Sequence, residues 1–334
     1  MLSRVADSVY WMNRQIERAE NVARAVETTL DLALDGTISP GRLWNALVCT
    51  FGDEADFWAR FGLADQANVI SFLAFDQANS NSIASCLQAA RENARTVRDM
   101  ISTPMWEEIN KAHLYVRSAA AANAEIDHPR EFLDEVKRAS QLITGVADAT
   151  MSHGEAWHFA RMGRLIERAD KTSRVLDVEH YFQPAAARAA RPAGGAADES
   201  DEVAVQWSAV LESASALEMY RKVHGAVSRR SVADFLIFDR EFPRAMHFCL
   251  IKAEESLLAI TGGSKGAYTN PAEQRLGRLR SNLNYGAIDE ILGGAAGLHG
   301  FIDSFQAGVN RASDAIYDTF FALRPVGAAA DAAG

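Results

Sequence analysis

Thirteen residues, Met12-Asn-Arg-Gln-Ile-Glu-Arg-Ala-Glu-Asn-Val-Ala-Arg24, return 150 positions later as Met162-Gly-Arg-Leu-Ile-Glu-Arg-Ala-Asp-Lys-Thr-Ser-Arg174. Met, Arg, Ile, Glu-Arg-Ala and the closing Arg keep register, and Glu20 becomes Asp170. A constant offset within one chain predicts two related helical halves, and so narrows the folds open to it. In the first copy Val5, Val9, Met12, Ile16, Ala19, Ala23, Val26 and Leu30 recur in steps of three and four, one side of a helix. Tyr10, Asn13, Glu17, Glu20, Asn21 and Arg24 fall on the adjoining sector, with Arg14 at its edge. The second copy repeats the layout: Phe159, Met162, Ile166, Ala169, Ser173 and Leu176 form the stripe, flanked by Glu167, Asp170 and Arg174. Two long helices therefore each carry an apolar seam beside a charged one.

Nearly half of the 334 residues are hydrophobic, alanine is abundant, and there are only eight prolines. Runs of β-branched residues are rare, so the composition favours helices over strands. The net charge of −10 argues against non-specific binding to nucleic acid or an anionic membrane. Cys49, Cys86 and Cys249 are odd in number, far apart and set in apolar sequence, which predicts buried thiols in a reducing compartment. The first residues lack a signal-peptide layout and charge interrupts every apolar run, so a cytoplasmic protein is expected.

The chain order predicts an all-α, multi-helix bundle of two halves, 1–150 and 151–323. The first helix is expected to start at a Ser3 cap and run to about Leu34, stopped by Asp35-Gly36. Short aromatic-rich helices fill 41–75, broken near Gly52 and Gly62. Asn79-Ser80 opens a long helix whose apolar rhythm continues to Val97 and Ile101, and Pro104 begins the next. Helices are expected over roughly 130–148, from about 155 to His180, and near 203–223, 228–237, 240–261, 271–284 and 287–323. The Ala/Pro/Gly-rich stretch 184–202 reads as a mobile insert and 324–334 as a disordered tail.

Taken together, Leu2-Ser-Arg-Val-Ala-Asp-Ser-Val-Tyr-Trp-Met12, Ile16-Glu-Arg-Ala-Glu-Asn21, Ala90-Arg-Glu-Asn-Ala-Arg-Thr-Val-Arg98, Met105-Trp-Glu-Glu-Ile-Asn110, Gly163-Arg-Leu-Ile-Glu-Arg-Ala-Asp170 and Phe238-Asp-Arg-Glu-Phe-Pro-Arg244 resemble the bacterial alpha-E domain family, in order from residue 1 to about 322. The resemblance implies a helical, cytoplasmic protein encoded beside a circularly permuted ATP-grasp ligase and a transglutaminase-like protein. It implies a setting of peptide or amide-bond synthesis and modification, without an activity for the alpha-E component itself.

The charged seams admit two readings. In one, Glu17, Arg18, Glu20 and Arg24 with Glu167, Arg168, Asp170 and Arg174 form an interhelical ion-pair network that fixes register. In the other, the row Arg91, Arg95, Arg98, with Arg14 or Arg164, presents forked donors to a carboxylate or phosphate, oriented by Glu17 and Glu167. Asp239, Arg240 and Glu241 read as a helix N-cap or, with Arg244, as an anion site at a helix start. Glu155-x-x-His158 and Glu125-x-x-His128 have the spacing of carboxylate-bridged di-metal bundles, but Pro129 puts His128 at a helix end, and surface or satisfied histidines are the expectation. No phosphate loop, Cys-x-x-Cys or nucleophile elbow is present, so no cofactor is expected. The reading that follows is a non-catalytic binding or scaffold component of a peptide-bond-forming system, with a possible peptide ligand. The alternatives are an enzyme with an Arg/Glu-lined interhelical pocket and a di-metal carboxylate bundle.

Overall fold

The computed structural model describes residues 1–122, 129–177, 180–181 and 201–322. Among them the protein is all-α, with no strand. The helices are α1 (Ser3–Asp35), α2 (Pro40–Phe51), α3 (Glu54–Arg60), α4 (Gln66–Ile70, continued by a π-helical turn to Phe75), α5 (Ile83–Thr96), α6 (Thr103–Ala121), α7 (Pro129–Thr150) and α8 (Glu155–Leu176). They continue with α9 (Asp201–Ser213), α10 (Leu217–Val223), α11 (Arg229–Phe238), α12 (Met246–Thr261), α13 (Pro271–Tyr285), α14 (Ile288–Gly293) and α15 (Gly297–Ile316, with a closing π-helical turn to Phe321).

Local chemistry sets most of these boundaries. Ser82, Ser102 and Asn270 each accept a hydrogen bond from the backbone three residues on, and Pro104 and Pro271 lie in the first turns they cap. α1 stops where Gly36 turns left-handed at φ 74°. Several expected boundaries moved. Ser3 is already helical, and the Leu2 carbonyl accepts the Val5 and Ala6 amides, so no side chain caps α1. Ser215, at φ 47°, divides the expected 203–223 helix in two. The last helix is interrupted after Gly293 and restarts at Gly297, φ 59°. Thr96 ends α5, and Val97 and Ile101 stay buried in the turn beyond it. α8 ends at Leu176, before His180. Residues 184–200 and 324–334 lie outside the described residues, and helix α9 already begins at Asp201.

α1 and α8 cross at the centre. Val9, Met12, Ile16, Ala19, Ala23 and Val26 on α1, and Met162, Ile166 and Ala169 on α8, are all buried in one continuous core. α5 and α7 cover α1, α12 covers α8, and α6 and α13 pack outside α5 and α12. Burying seams of this width is what holds helices of 33 and 22 residues in one arrangement.

The crossing is close because α8 presents Gly163 to α1. A Cβ at this position would lie 2.5 Å from the Tyr10 carbonyl oxygen and 3.1 Å from its ring. Gly163→Ala gains about 1 kcal/mol of helix propensity, but the clash is with backbone that cannot swing aside. Overpacking of this kind costs about 1–3 kcal/mol. A lower thermal midpoint is expected for Gly163→Ala, whereas a raised one would show that the two helices can separate freely.

Candidate functional site

The charged seams meet face to face at this crossing. Arg168 of α8 grips Glu17 of α1 with two bonds, Nε to Oε1 at 2.8 Å and a terminal nitrogen to Oε2 at 2.7 Å. Arg18 of α1 grips Glu167 of α8 in return, at 2.7 and 3.2 Å. Each Glu-Arg dipeptide thus supplies the acid for one pair and the base for the other. Glu17 and Glu167 are 1% and 0% exposed, so neither carboxylate meets water.

Further cations close the ring. Arg14 donates to Glu167 at 2.8 Å and lies 4.8 Å over the Trp11 ring; Lys171 sits 3.5 Å from the same carboxylate. Arg244 reaches in from the turn before α12 to Glu17 at 3.3 Å, to Asn21 at 3.1 Å and to Glu20. Glu20 also holds Arg24 and accepts from Ser140 of α7 at 2.6 Å. Asp170 holds Arg174 at 2.9 Å and Lys171 at 3.1 Å. Arg18 also donates to Asn81, in the turn before α5, at 2.7 Å.

Burial by itself raises a carboxyl's pKa, but here it is outweighed. The guanidiniums of Arg168 and Arg244 bring Glu17 down to about 2, and Arg14, Lys171 and Arg18 hold Glu167 well below the usual range. Burial and the neighbouring charge of Arg168 bring Arg244 down to about 10. Cys86 and Cys249 border the network, and burial pushes both thiols up to about 12, so neither is a thiolate near neutral pH. Cys49 is partly exposed rather than buried.

The row Arg91, Arg95, Arg98 is not part of this site. Arg91 and Arg95 lie on α5 and Arg98 in the turn beyond it; Arg91 and Arg98 meet α6 and Arg95 is exposed, while Cys86 and Ala90 are buried. Arg91 donates to Asn110 and Glu92, Arg95 to Glu92, and Arg98 lies 4.8 Å over the Trp106 ring. Asp239 is not an N-cap; it is the residue that closes α11. It accepts from the Glu241 and Phe242 amides in a tight turn, Arg240 and Glu241 are exposed, and α12 begins only at Met246. That turn is what aims Arg244 at α1.

Arg244 joins the network from a turn, where no helical period marks it. A signal for it exists: Phe75-Asp76 and Cys86-Leu87 recur 163 positions on as Phe238-Asp239 and Cys249-Leu250, which sets Arg244 opposite Asn81. Both residues reach the crossing from the turns that precede α5 and α12. Asn21 and Lys171 join through neighbours on their own helices, Glu17 for the first and Glu167 and Asp170 for the second, and Ser140 joins from α7.

Glu155 and His158 gather no further ligands, and Glu125 and His128 lie outside the described residues. The metal-capable grouping among the described residues is instead Asp177, His299 and Asp303. His299 Nδ1 is 2.8 Å from Asp177 and Nε2 is 3.5 Å from Asp303, and burial pushes Asp177 up to about 6 against the pull of His299. The two carboxylates thus already share one imidazole.

The sequence model of the Alpha-E family, described as a predicted alpha-helical domain with a conserved ER motif, matches residues 1–321. The chain belongs to the Alpha-E family. This chain has two Glu-Arg dipeptides, Glu17-Arg18 and Glu167-Arg168, and both stand in the reciprocal pairs. Uncharacterised proteins of Mycobacterium bovis and Mycobacterium tuberculosis are each 22% identical to this Alpha-E chain over 340 residues. The matches cover 96% of the chain but 37% of those proteins, so it spans little more than a third of their length. No solved structure matches it.

Removing one partner of a buried pair leaves the other charge without compensation, at a cost of about 3–5 kcal/mol. Glu17→Gln and Glu167→Gln should each lower unfolding free energy by about that much in urea titrations, while exposed Arg95→Ala should change it by less than about 1 kcal/mol. Because folding depresses the Glu17 pKa from 4.5 to about 2, its stabilisation is complete above 4.5 and is lost as pH falls toward 2. The thermal midpoint should fall over that interval, and less steeply in Glu17→Gln; equal slopes in both proteins would contradict the assignment.

Proposed function

We infer that this Alpha-E chain works by binding, as a scaffold component of a peptide- or amide-bond-forming system. The observation that supports this reading most is the closure of the crossing. Glu17 and Glu167 are buried and fully paired, so no carboxylate there is free to move a proton for a substrate. An interhelical pocket lined by Arg91, Arg95, Glu17 and Glu167, which the enzyme alternative requires, is not formed among the described residues. An open hollow of about 790 Å³ lies elsewhere, between the end of α1, α2, α4 and the start of α7. Leu30, Ala33, Trp44 and Pro129 line it, and Leu34 and Leu63 on its rim are 79% and 61% exposed. An apolar surface of this kind suits contact with protein more than catalysis on a polar substrate.

The proposed partners are an ATP-grasp-type ligase and a transglutaminase-like protein, with the chain working in the cytoplasm. No helix among the described residues is long and apolar enough to cross a membrane, which is compatible with that location. Co-expression of the tagged chain with such a ligase should give a complex that survives gel filtration, and Leu63→Glu should weaken it without lowering the thermal midpoint. If the ligase elutes alone beside the folded wild-type chain, the scaffold reading fails.

A further inference from the structure

One cation in the crossing makes no ion pair among the described residues. Arg164 stands one turn before Arg168, and its Nε is shut away from solvent with no hydrogen-bond acceptor. Its neighbours along α8 are all engaged: Arg161 with Ser256, Glu255 and the Trp157 ring, Arg168 with Glu17, and Lys171 with Glu167 and Asp170. The offset of 150 residues explains the vacancy. Arg164 corresponds to Arg14, and Arg14 is bonded to Glu167. The corresponding acid for Arg164 is Glu17, which Arg168, Arg244 and Asn21 already fill. Arg244 has taken the place that symmetry would assign to Arg164.

The charges facing Arg164 do not neutralise it. Glu17 on α1 and Asp148 on α7 are near enough to favour its charge, yet neither hydrogen-bonds to it, and Asp148 accepts instead from the Trp157 indole at 3.1 Å. Arg168 and Arg161 on its own helix oppose it. Burial first, then the charge of Arg168, holds its pKa below the ordinary arginine value. The whole crossing shares this imbalance. Arg14, Arg18, Arg24, Arg168, Lys171, Arg174 and Arg244 face only Glu17, Glu20, Glu167 and Asp170. This excess of cations sits in a chain of net charge −10.

A largely buried guanidinium that no carboxylate grips is costly, and an outside anion meeting its solvent-facing nitrogens lowers that cost. Arg164 as a residue keeps some contact with solvent, so a small anion has access. We propose that Arg164, flanked by Arg161 and Arg168, anchors a binding site for an oxyanion, either a peptide carboxylate or a phosphate group. Both present paired oxygens that match the guanidinium fork. The site deepens the binding reading above and rests on it only for the source of the ligand.

The test uses the full chain and three probes at constant ionic strength: inorganic phosphate, an N-acetylated dipeptide with a free C-terminus, and the same dipeptide amidated. Phosphate or the free-carboxylate dipeptide should raise the thermal midpoint saturably, with no effect from the amide; which of the two acts identifies the source. Arg164→Met should abolish the response and, without ligand, melt at or above the wild-type temperature, because a largely buried charge that no carboxylate grips is gone. Arg164→Lys, which keeps the charge but loses the fork, should bind at least roughly tenfold more weakly by calorimetry. A wild-type midpoint that neither probe moves beyond a chloride control overturns the proposal. So does an Arg164→Met chain that melts several degrees lower or fails to fold, since Arg164 would then have a structural role. An intact ligase complex alongside a negative anion result removes this site alone, and a lost complex alongside a positive anion result removes only the scaffold reading.

Discussion

The reciprocal pair of salt bridges between α1 and α8 is the interaction on which the rest depends. Glu17 with Arg168 and Glu167 with Arg18 form a closed exchange, possible only when the two helices cross at one height and one rotation. A shift of one residue on either helix would move a carboxylate by about 100° and leave it buried and unpaired. An apolar seam alone would tolerate sliding, since hydrophobic burial has no direction. The ion pairs therefore specify register where the seam supplies cohesion, and Gly163 allows the backbones close enough for both.

This central device organises the outer layers. α5 and α12 each lead into the crossing through a turn that delivers one polar side chain, Asn81 to Arg18 and Arg244 to Glu17. Asn81 is a neutral acceptor, whereas Arg244 adds a charge, so the two turns tune the two pairs differently. Arg164 is left over for that reason. The same surroundings keep the bordering thiols protonated, because burial outweighs the nearby guanidiniums at both Cys86 and Cys249.

Much of this was legible beforehand. Glu17, Arg18, Glu20, Arg24, Glu167, Arg168, Asp170 and Arg174 announce themselves because they recur at fixed spacing beside an apolar stripe. Arg91, Arg95 and Arg98 have the same appearance along α5 and the turn beyond it, yet they pack against Asn110, Glu92 and Trp106 on the outer face. Periodicity reports that a row lies about 100° from a seam, but not on which side the next helix will stand. Arg244 was obscured for the opposite reason. It lies in a turn without periodicity, and Asp239-to-Pro243 resembles a helix start.

The sequence by itself determined helix content, the two matched long helices and the sector of each that carries charge, because these follow from local propensity and a 3.6-residue period. Tertiary structure alone decided which carboxylate meets which guanidinium, and that Arg244 rather than Arg164 completes Glu17. Partner choice depends on distances between helices far apart in the chain, and on the cost of leaving any one charge buried without a counterpart.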